Sequence, residues 1–449
     1  NSSRAVIVRK LIILSLLFSQ RRWSCFEIVR YNPAMARPRF WRCEIIRFYV
    51  SLHPGATNRF LMWNFDEVIN REKTSCIKYD FREEVFGRAD VIPMWVADMD
   101  FRTPPFITEA IAARLQHEIL GYSYRPDSYF TALIRWLAER HGWEVQREWT
   151  EFSPGVVPAL NMCTMAYTRP GEEIIIQPPV YAPFHAAVND HGRKLLANRL
   201  IEKDGAWVMD TEGLRKLITP ATRMLILSSP HNPVGRAWRR EELEELVDIC
   251  HEKGVIILSD EIHCDLMMPG YSHLPVASLS EKAASITVTC TAPSKTFNLA
   301  GLSTSTMIIP DPLLRERYRK TLVGLHLHLG NIFGNVAAEA AWTHGHEWVD
   351  ALMSYVQGNA DLVIRFCRDR LPQIRPVKPE ATYMIWLDCR EMQLSGRELQ
   401  RFFVDKAGVG MNEGSTFGPG GEGFMRMNLA CPRSVVERAL SQIENAIKS

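Results

Sequence analysis

Between Glu151 and about Pro310 short apolar runs alternate with segments of helical period, and no other feature restricts the fold as strongly. The runs 173–177, 194–199, 224–228, 255–259, 286–291 and 305–309 have strand length, and several lack a polar face. A strand without a polar face is buried on both sides, so helices must cover both faces of a largely parallel sheet. Helices are expected at 156–167, 211–218, 239–253 and 312–323. The expectation is an α/β fold, and such sheets place their chemistry in loops beyond the strand C-termini.

On the N-terminal side, 106–120 carries Ile107, Ile111, Leu115 and Ile119 on one stripe, with Gly121 as its stop. A second helix is expected at 129–141. Residues 62–104 hold turns and few helical periods, which suits an arm. Beyond Gly330 the pattern stays helical to about Leu371. Then 382–388, 398–406, 424–429 and 434–447 alternate strand, helix, strand, helix, a compact α+β unit.

Residues 1–61 have another texture, rich in Arg with only Glu27 and Glu44 as acids. Their apolar run 11–18 is too short to cross a bilayer, and no small-x-small cleavage site follows it. Met62 is expected to be the natural start and 1–61 an upstream or disordered extension, with a targeting peptide as the rival. A net charge of +2 without a basic block gives nucleic acid and membrane surfaces nothing to hold. The ten cysteines include no C-x-x-C pair, which points to reduced thiols and the cytoplasm.

Five strand-end loops and one strand carry the candidate chemistry. Lys295 sits between the run 286–291 and the mostly apolar 299–302, bracketed by Pro293 and Gly301. Desolvation there disfavours an ammonium and frees a neutral amine. Such an amine forms Schiff bases with carbonyls, pyridoxal phosphate among them; an ordinary loop lysine is the other reading. Gly155 follows a strand and opens a helix, whose free N–H groups suit a phosphate. Tyr181, among Pro178, Pro179 and Pro183, is placed either to stack on a planar ring or to pack in the core. Asn232, held extended by Pro233, projects an amide. Asp260, Glu261 and Asp265 close an apolar strand, where carboxylates are costly. One of them suits a pyridinium nitrogen, or Asp260 caps a helix. Arg426, inside an apolar strand, needs a carboxylate from the protein or from a substrate. The pairs His326-x-His328 and His344-x-His346 suit solvated or packing roles, and no metal site is expected.

In this order the motifs Trp95-Val96-Ala97-Asp98-Met99-Asp100-Phe101, Gly155-Val156-Val157-Pro158-Ala159, Pro179-Val180-Tyr181, His231-Asn232-Pro233-Val234-Gly235, Ser259-Asp260-Glu261-Ile262-His263, Ser294-Lys295-Thr296-Phe297-Asn298 and Arg426-Met427-Asn428-Leu429 resemble those of fold-type I pyridoxal phosphate enzymes, the aminotransferase class I/II superfamily. Over 62–449 the chain looks like the MalY/PatB-type cystathionine β-lyases within it. The resemblance implies a mostly parallel seven-stranded sheet flanked by helices, with a smaller α+β C-terminal domain. It divides the chain into an arm (62–104), a large cofactor domain (105–343) and a small domain (344–449). It implies that Lys295 holds the cofactor covalently, Asp260 pairs with the pyridine nitrogen, and Asn232 meets the ring oxygen, an oxygen that His263, by its own place in the strand-end loop, is also placed to contact. Tyr181 would stack on the ring. The N–H groups of Val156 and Val157 and the Ser294 hydroxyl would take the phosphate. Arg426 would clamp the α-carboxylate of an amino-acid substrate. Tyr122 would reach a neighbouring subunit's cofactor, which implies a homodimer.

Two positions depart from the wider pattern. His263 stands where aminotransferases commonly carry tyrosine, which favours the lyase subgroup. Ala292 lacks a hydroxyl that many relatives use for phosphate. The implied reaction is β-elimination from cystathionine or related cysteine S-conjugates, giving a thiol, pyruvate and ammonia. An aminotransferase with the same residues, or a regulatory binding protein on this scaffold, are the alternatives.

Overall fold

A computed structural model describes residues 63–203 and 205–449; the expectations for residues 1–61 and for Met62 fall outside them. Seven strands, β1 (Thr150–Ser153), β2 (Glu173–Ile176), β3 (Lys194–Ala197), β4 (Thr222–Ser228), β5 (Ile256–Asp260), β6 (Thr287–Thr291) and β7 (Ser305–Ile308), form one sheet in the order β1-β7-β6-β5-β4-β2-β3. Only β7 is reversed, pairing antiparallel with β1 and β6; β2, β3, β4, β5 and β6 pair in parallel.

Alternation along these strands builds two apolar layers. Ile174, Ile176, Met224, Ile226, Leu258 and Val288 pack with the helix Val156–Tyr167 on one face. Ile175, Leu225, Leu227 and Ile257 pack on the other with Leu243, Leu246, Val247 and Cys250 of the helix Arg240–Lys253. Both faces are therefore dry, as the absence of a polar face required.

A second sheet is antiparallel throughout: β8 (Arg375–Val377), β9 (Met384–Asp388), β10 (Asn412–Glu413) and β11 (Phe424–Asn428), in the order β8-β9-β11-β10. The helices His346–Arg370 and Arg433–Lys448 bury Leu352, Val356, Val363, Val436 and Leu440 in a third apolar cluster with Met425 and Met427. The stretch after Gly330 is two helices, Ile332–His344 and His346–Arg370, parted at Gly345.

From the N-terminal side, Ile92–Pro93 pairs in parallel with Val409–Gly410. The following segment, Trp95 to Asp100, is a strap held by side chains from distant parts of the chain. Asn428 Nδ2 donates to the carbonyls of Val96 and Asp98, both at 2.7 Å. Asn298 bonds both the N–H and the carbonyl of Met99. Asp98 and Asp100 meet Arg71 at 2.6 and 2.7 Å, and Lys78, only 1% exposed, reaches Asp100 at 2.8 Å.

The helix expected at 106–120 runs only over Pro105–Leu115. Ile119 and Leu120 are exposed at 69% and 55%. The apolar stripe is real in sequence, but its last turn finds no core to pack against among the described residues. A helix turn without packing has little to hold it in water. The run 286–291 is likewise shorter as a strand, because Ile286 ends a short helix, Glu281–Ile286. The hairpin Ile201–Lys203 with Ala206–Val208 was not expected.

Candidate active site

β1, β2, β4, β5 and β6 all run the same way, because β1 and β6 are each antiparallel to β7. The loops after these strands therefore leave from one edge of the sheet. They carry Gly155 to Val157, Tyr181, Asn232, Asp260 to His263, and Lys295.

Lys295 lies on a single helical turn, Pro293–Thr296, directly after β6. Its Nζ donates to the Ala97 carbonyl of the strap at 2.6 Å. Burial first, and then the nearby Arg426 charge, lower its pKa to about 8 against the pull of Asp98 and Asp260. Asp260 ends β5 with its carboxyl raised to about 7, first by burial, although Ile262 N–H donates to Oδ1 at 3.1 Å and the Lys295 charge opposes the rise. His263 is held down to about 3 by burial and by the charges of Lys295 and Arg426, so its imidazole is neutral at any ordinary pH. Its Nδ1 is buried without a hydrogen-bond partner among the described residues.

Arg426, at the centre of β11, is 5% exposed. Nη1 donates to Asn232 Oδ1 at 3.1 Å, and Nη2 to the Trp95 carbonyl at 2.9 Å and to Asn412 Oδ1 at 2.8 Å. The guanidinium carbon stands 4.8 Å from the centre of the Phe417 ring. Every one of these partners is neutral, its Nε has no partner among the described residues, and burial draws its pKa down to about 10. Among the described residues no carboxylate forms an ion pair with Arg426, so the protein-acid reading left open by the sequence has no support there. Asn232, its oxygen taken by Arg426, presents its NH2 elsewhere.

Tyr181 is part-buried, its ring edge-on to Phe184 at 6.3 Å, and Asp260 and Arg426 both act electrostatically on its hydroxyl. Val156 is buried in the cluster that includes Ala292, with Tyr181 and Ile262 packed against it. The helix it begins has no side-chain cap, which leaves its first N–H groups, Val157's included, open to a ligand. Ser294 is part-buried, and its hydroxyl makes no hydrogen bond among the described residues. Tyr122 stands apart, 97% exposed in the irregular segment after Leu115.

Tyr383 gave no signal in sequence, and the partners of Asp265 gave none. Tyr383 is fully buried, and its hydroxyl donates at 3.0 Å to the same Ala97 carbonyl that Lys295 uses. Asp265 accepts from Trp136 Nε1, from Thr296 Oγ1 and, in the pairing drawn by the geometry, from His141 Nε2. It thereby pins the residue after Lys295 to the loop after β5. These contacts join positions far apart in the chain, which no local spacing encodes.

At one edge of this mostly parallel α/β sheet stand a lysine whose pKa is lowered to about 8 and a buried aspartate whose carboxyl is raised to about 7, a pairing that suits covalent work on a carbonyl. The chain belongs to the aminotransferase class I and II family, whose description matches residues 89–443. It is 46% identical over 385 residues to cystathionine beta-lyase PatB of Bacillus subtilis, covering 86% of this chain and all of that one. It is 30% identical to Protein MalY of Escherichia coli, with the same coverage. Among solved structures, cystalysin from Treponema denticola, which contains a pyridoxal 5'-phosphate cofactor, superposes with a TM-score of 0.84 at 36% identity, over 86% of this chain and 99% of that one.

Proposed function

We propose that this chain is a pyridoxal phosphate-dependent carbon–sulfur β-lyase that cleaves cystathionine or a related cysteine S-conjugate. The observation that carries the reading is a pair of cationic side chains, buried Arg426 and part-buried Lys295, that form no ion pair with a carboxylate among the described residues. Arg426 suits the α-carboxylate of an amino acid, and Lys295 suits an aldehyde. The relatives named cystathionine beta-lyase and cystalysin support the same choice.

The residues present fit the cofactor. Lys295 would hold its aldehyde carbon, Asp260 its ring nitrogen, and Asn232 and His263 its ring oxygen. Tyr181 would cover one face of the ring. The open N–H groups of Val156 and Val157, with the Ser294 hydroxyl, would hold the phosphate. When bound, pyridoxal phosphate supplies an electron sink for the pair left behind when the substrate loses its Cα proton.

The chain's own groups do the rest. Arg426 binds the substrate carboxylate, and its tie to Asn232 sets the two recognition elements at a fixed angle. Lys295 Nζ, neutral once freed, takes the Cα proton as general base. Asp260, buried at the end of β5, would hold charge or a proton at the ring nitrogen. The thiolate departs from Cβ with the bonding electron pair, and water completes the release of pyruvate and ammonia.

We further propose a homodimer in which the exposed Tyr122 reaches the neighbouring copy's site. The arm (62–104) would pack with a small domain (344–449), beside a large cofactor domain (105–343). No helix of the described residues is long and apolar enough to cross a membrane. The eight cysteines among the described residues are free thiols, which suits the cytoplasm.

The test is incubation with cystathionine in the absence of any keto-acid acceptor. Steady pyruvate release is expected. Turnover only when a keto acid is added would replace the lyase reading with an aminotransferase.

A further inference from the structure

Tyr383 takes no part in the scheme above, yet the chain places it at unusual cost to its own backbone. The residue before it, Thr382, adopts φ 70°, a left-handed conformation that β-branched residues rarely hold. Thr382 is fully buried and pinned there, its N–H donating to the Leu266 carbonyl at 2.6 Å and its hydroxyl accepting from Met384 N–H. This twist sets the aim of the next side chain at the head of β9. Strain of this kind gathers where a side chain must be presented for function.

Tyr383 is aimed at the Ala97 carbonyl, at 3.0 Å. A carbonyl cannot donate, so the tyrosine O–H must. The same oxygen accepts from Lys295 Nζ at 2.6 Å, which engages both of its lone pairs. The tyrosine ring is fixed in turn, edge-on to His263 at 6.1 Å and 77°. A neutral amine that is to take a proton must turn its lone pair toward the substrate. Its N–H groups therefore need an acceptor on the other side, and that acceptor must not move.

We infer that Tyr383 is a positioning residue for the base form of Lys295: it fixes the Ala97 carbonyl, which aims the lysine amine whenever that amine is not bonded to the cofactor. This rests on the reading of Lys295 as the base. In the step concerned, the Cα–H bond breaks, the proton passes to the Nζ lone pair, and the carbon keeps its electron pair.

The test is Tyr383→Phe in the loaded enzyme, a change that keeps the ring and removes one oxygen. Its kcat is expected to fall about tenfold with KM for cystathionine within about twofold, because an aimed base contributes to the transition state alone. The deuterium isotope effect from Cα-deuterated cystathionine is expected to rise, since proton removal becomes slower relative to the other steps. A second readout needs no turnover. In the full chain stripped of cofactor, peptide mass spectrometry follows acetylation of Lys295 by acetic anhydride. The unheld amine is expected to react at least about threefold faster in the variant, its fixed orientation having been lost. Unchanged kcat and isotope effect, or an unchanged labelling rate, would overturn the inference. So would a lowered melting temperature and lost cofactor with no change in isotope effect, which would mean a packing role. Failure of the underlying reading shows separately, as full turnover in Lys295→Ala.

Discussion

Arg426 Nη1 donates to Asn232 Oδ1 at 3.1 Å, joining a strand of the small sheet to the loop after β4 of the large one. The bond does two things. It orients the Asn232 amide, leaving its NH2 free for another partner. It also gives a buried guanidinium a neutral partner and not an anion, which keeps room for a carboxylate from outside.

Replacing Arg426 by lysine keeps the charge and loses the fork. With α-carboxylate substrates, KM is expected to rise about thirtyfold or more, matching the roughly 2 kcal/mol lower bound for truncating a buried charge contact. Cofactor absorbance should stay as it was. Steady-state kinetics on cystathionine and on its α-carboxamide would check this. The variant's deficit should vanish with the carboxamide, and a deficit equal for both substrates would place Arg426 outside carboxylate recognition.

Lys295 gives the cofactor-free chain a pH-dependent weakness. Its folded pKa, about 8, lies below the ordinary lysine value of 10.5. Between these values the unfolded chain binds a proton that the folded chain does not, so stability rises with pH across that window. Below it, the folded protein carries a buried ammonium. Lys295→Met should therefore stabilise the cofactor-free chain at pH 7 by on the order of 3 kcal/mol. The advantage should shrink from pH 8 upward and be gone near 10.5. Urea unfolding of both proteins at pH 7 and pH 10 would measure it; an advantage independent of pH would mean that packing, not charge, is responsible.

Lys78 anchors the strap from beneath. Burial opposes its charge, but Asp100 and Asp98 hold the ammonium above its usual range. Lys78→Met fills the same space and leaves two carboxylates against the one charge of Arg71. Breaking a buried pair in this way costs about 3–5 kcal/mol. A urea midpoint within experimental error of the parent would show that the cluster is wet enough to tolerate the loss.

What the sequence made legible follows from range. The helix Val156–Tyr167 falls on its expected limits, and the six strands of the large sheet for which limits were expected lie within two residues of them, because each is fixed by its own apolar pattern; β1 was given no limits. Lys295, Asp260, Asn232 and Arg426 were visible as polar groups in apolar settings. The strap was visible as a motif, but its role was not. That role depends on Asn298, Asn428 and Tyr383, which lie some 200 to 330 positions from their partners in it. Ile119 failed in the opposite sense. Its spacing is helical, but spacing does not say whether a surface exists to bury it.

That exposed surface carries the last prediction. Ile119, Leu120, Tyr122 and Tyr124 stand at 69%, 55%, 97% and 82% exposure in one short segment, more apolar surface than a lone soluble chain usually shows. If a second copy covers it and Tyr122 serves the neighbour's site, each active site is assembled from two chains. Tyr122→Ala and Lys295→Ala should then each be inactive alone, one lacking the reaching residue and the other the amine. Unfolded together and refolded as a mixture, they should recover up to about one quarter of the parent activity. Random pairing makes half the dimers mixed, and each mixed dimer has one complete site of two. Pyruvate release from cystathionine measures the recovery, and sedimentation checks that dimers have reformed. If both residues served a site within one chain, mixing would restore nothing, because no mixed dimer would then hold a complete site.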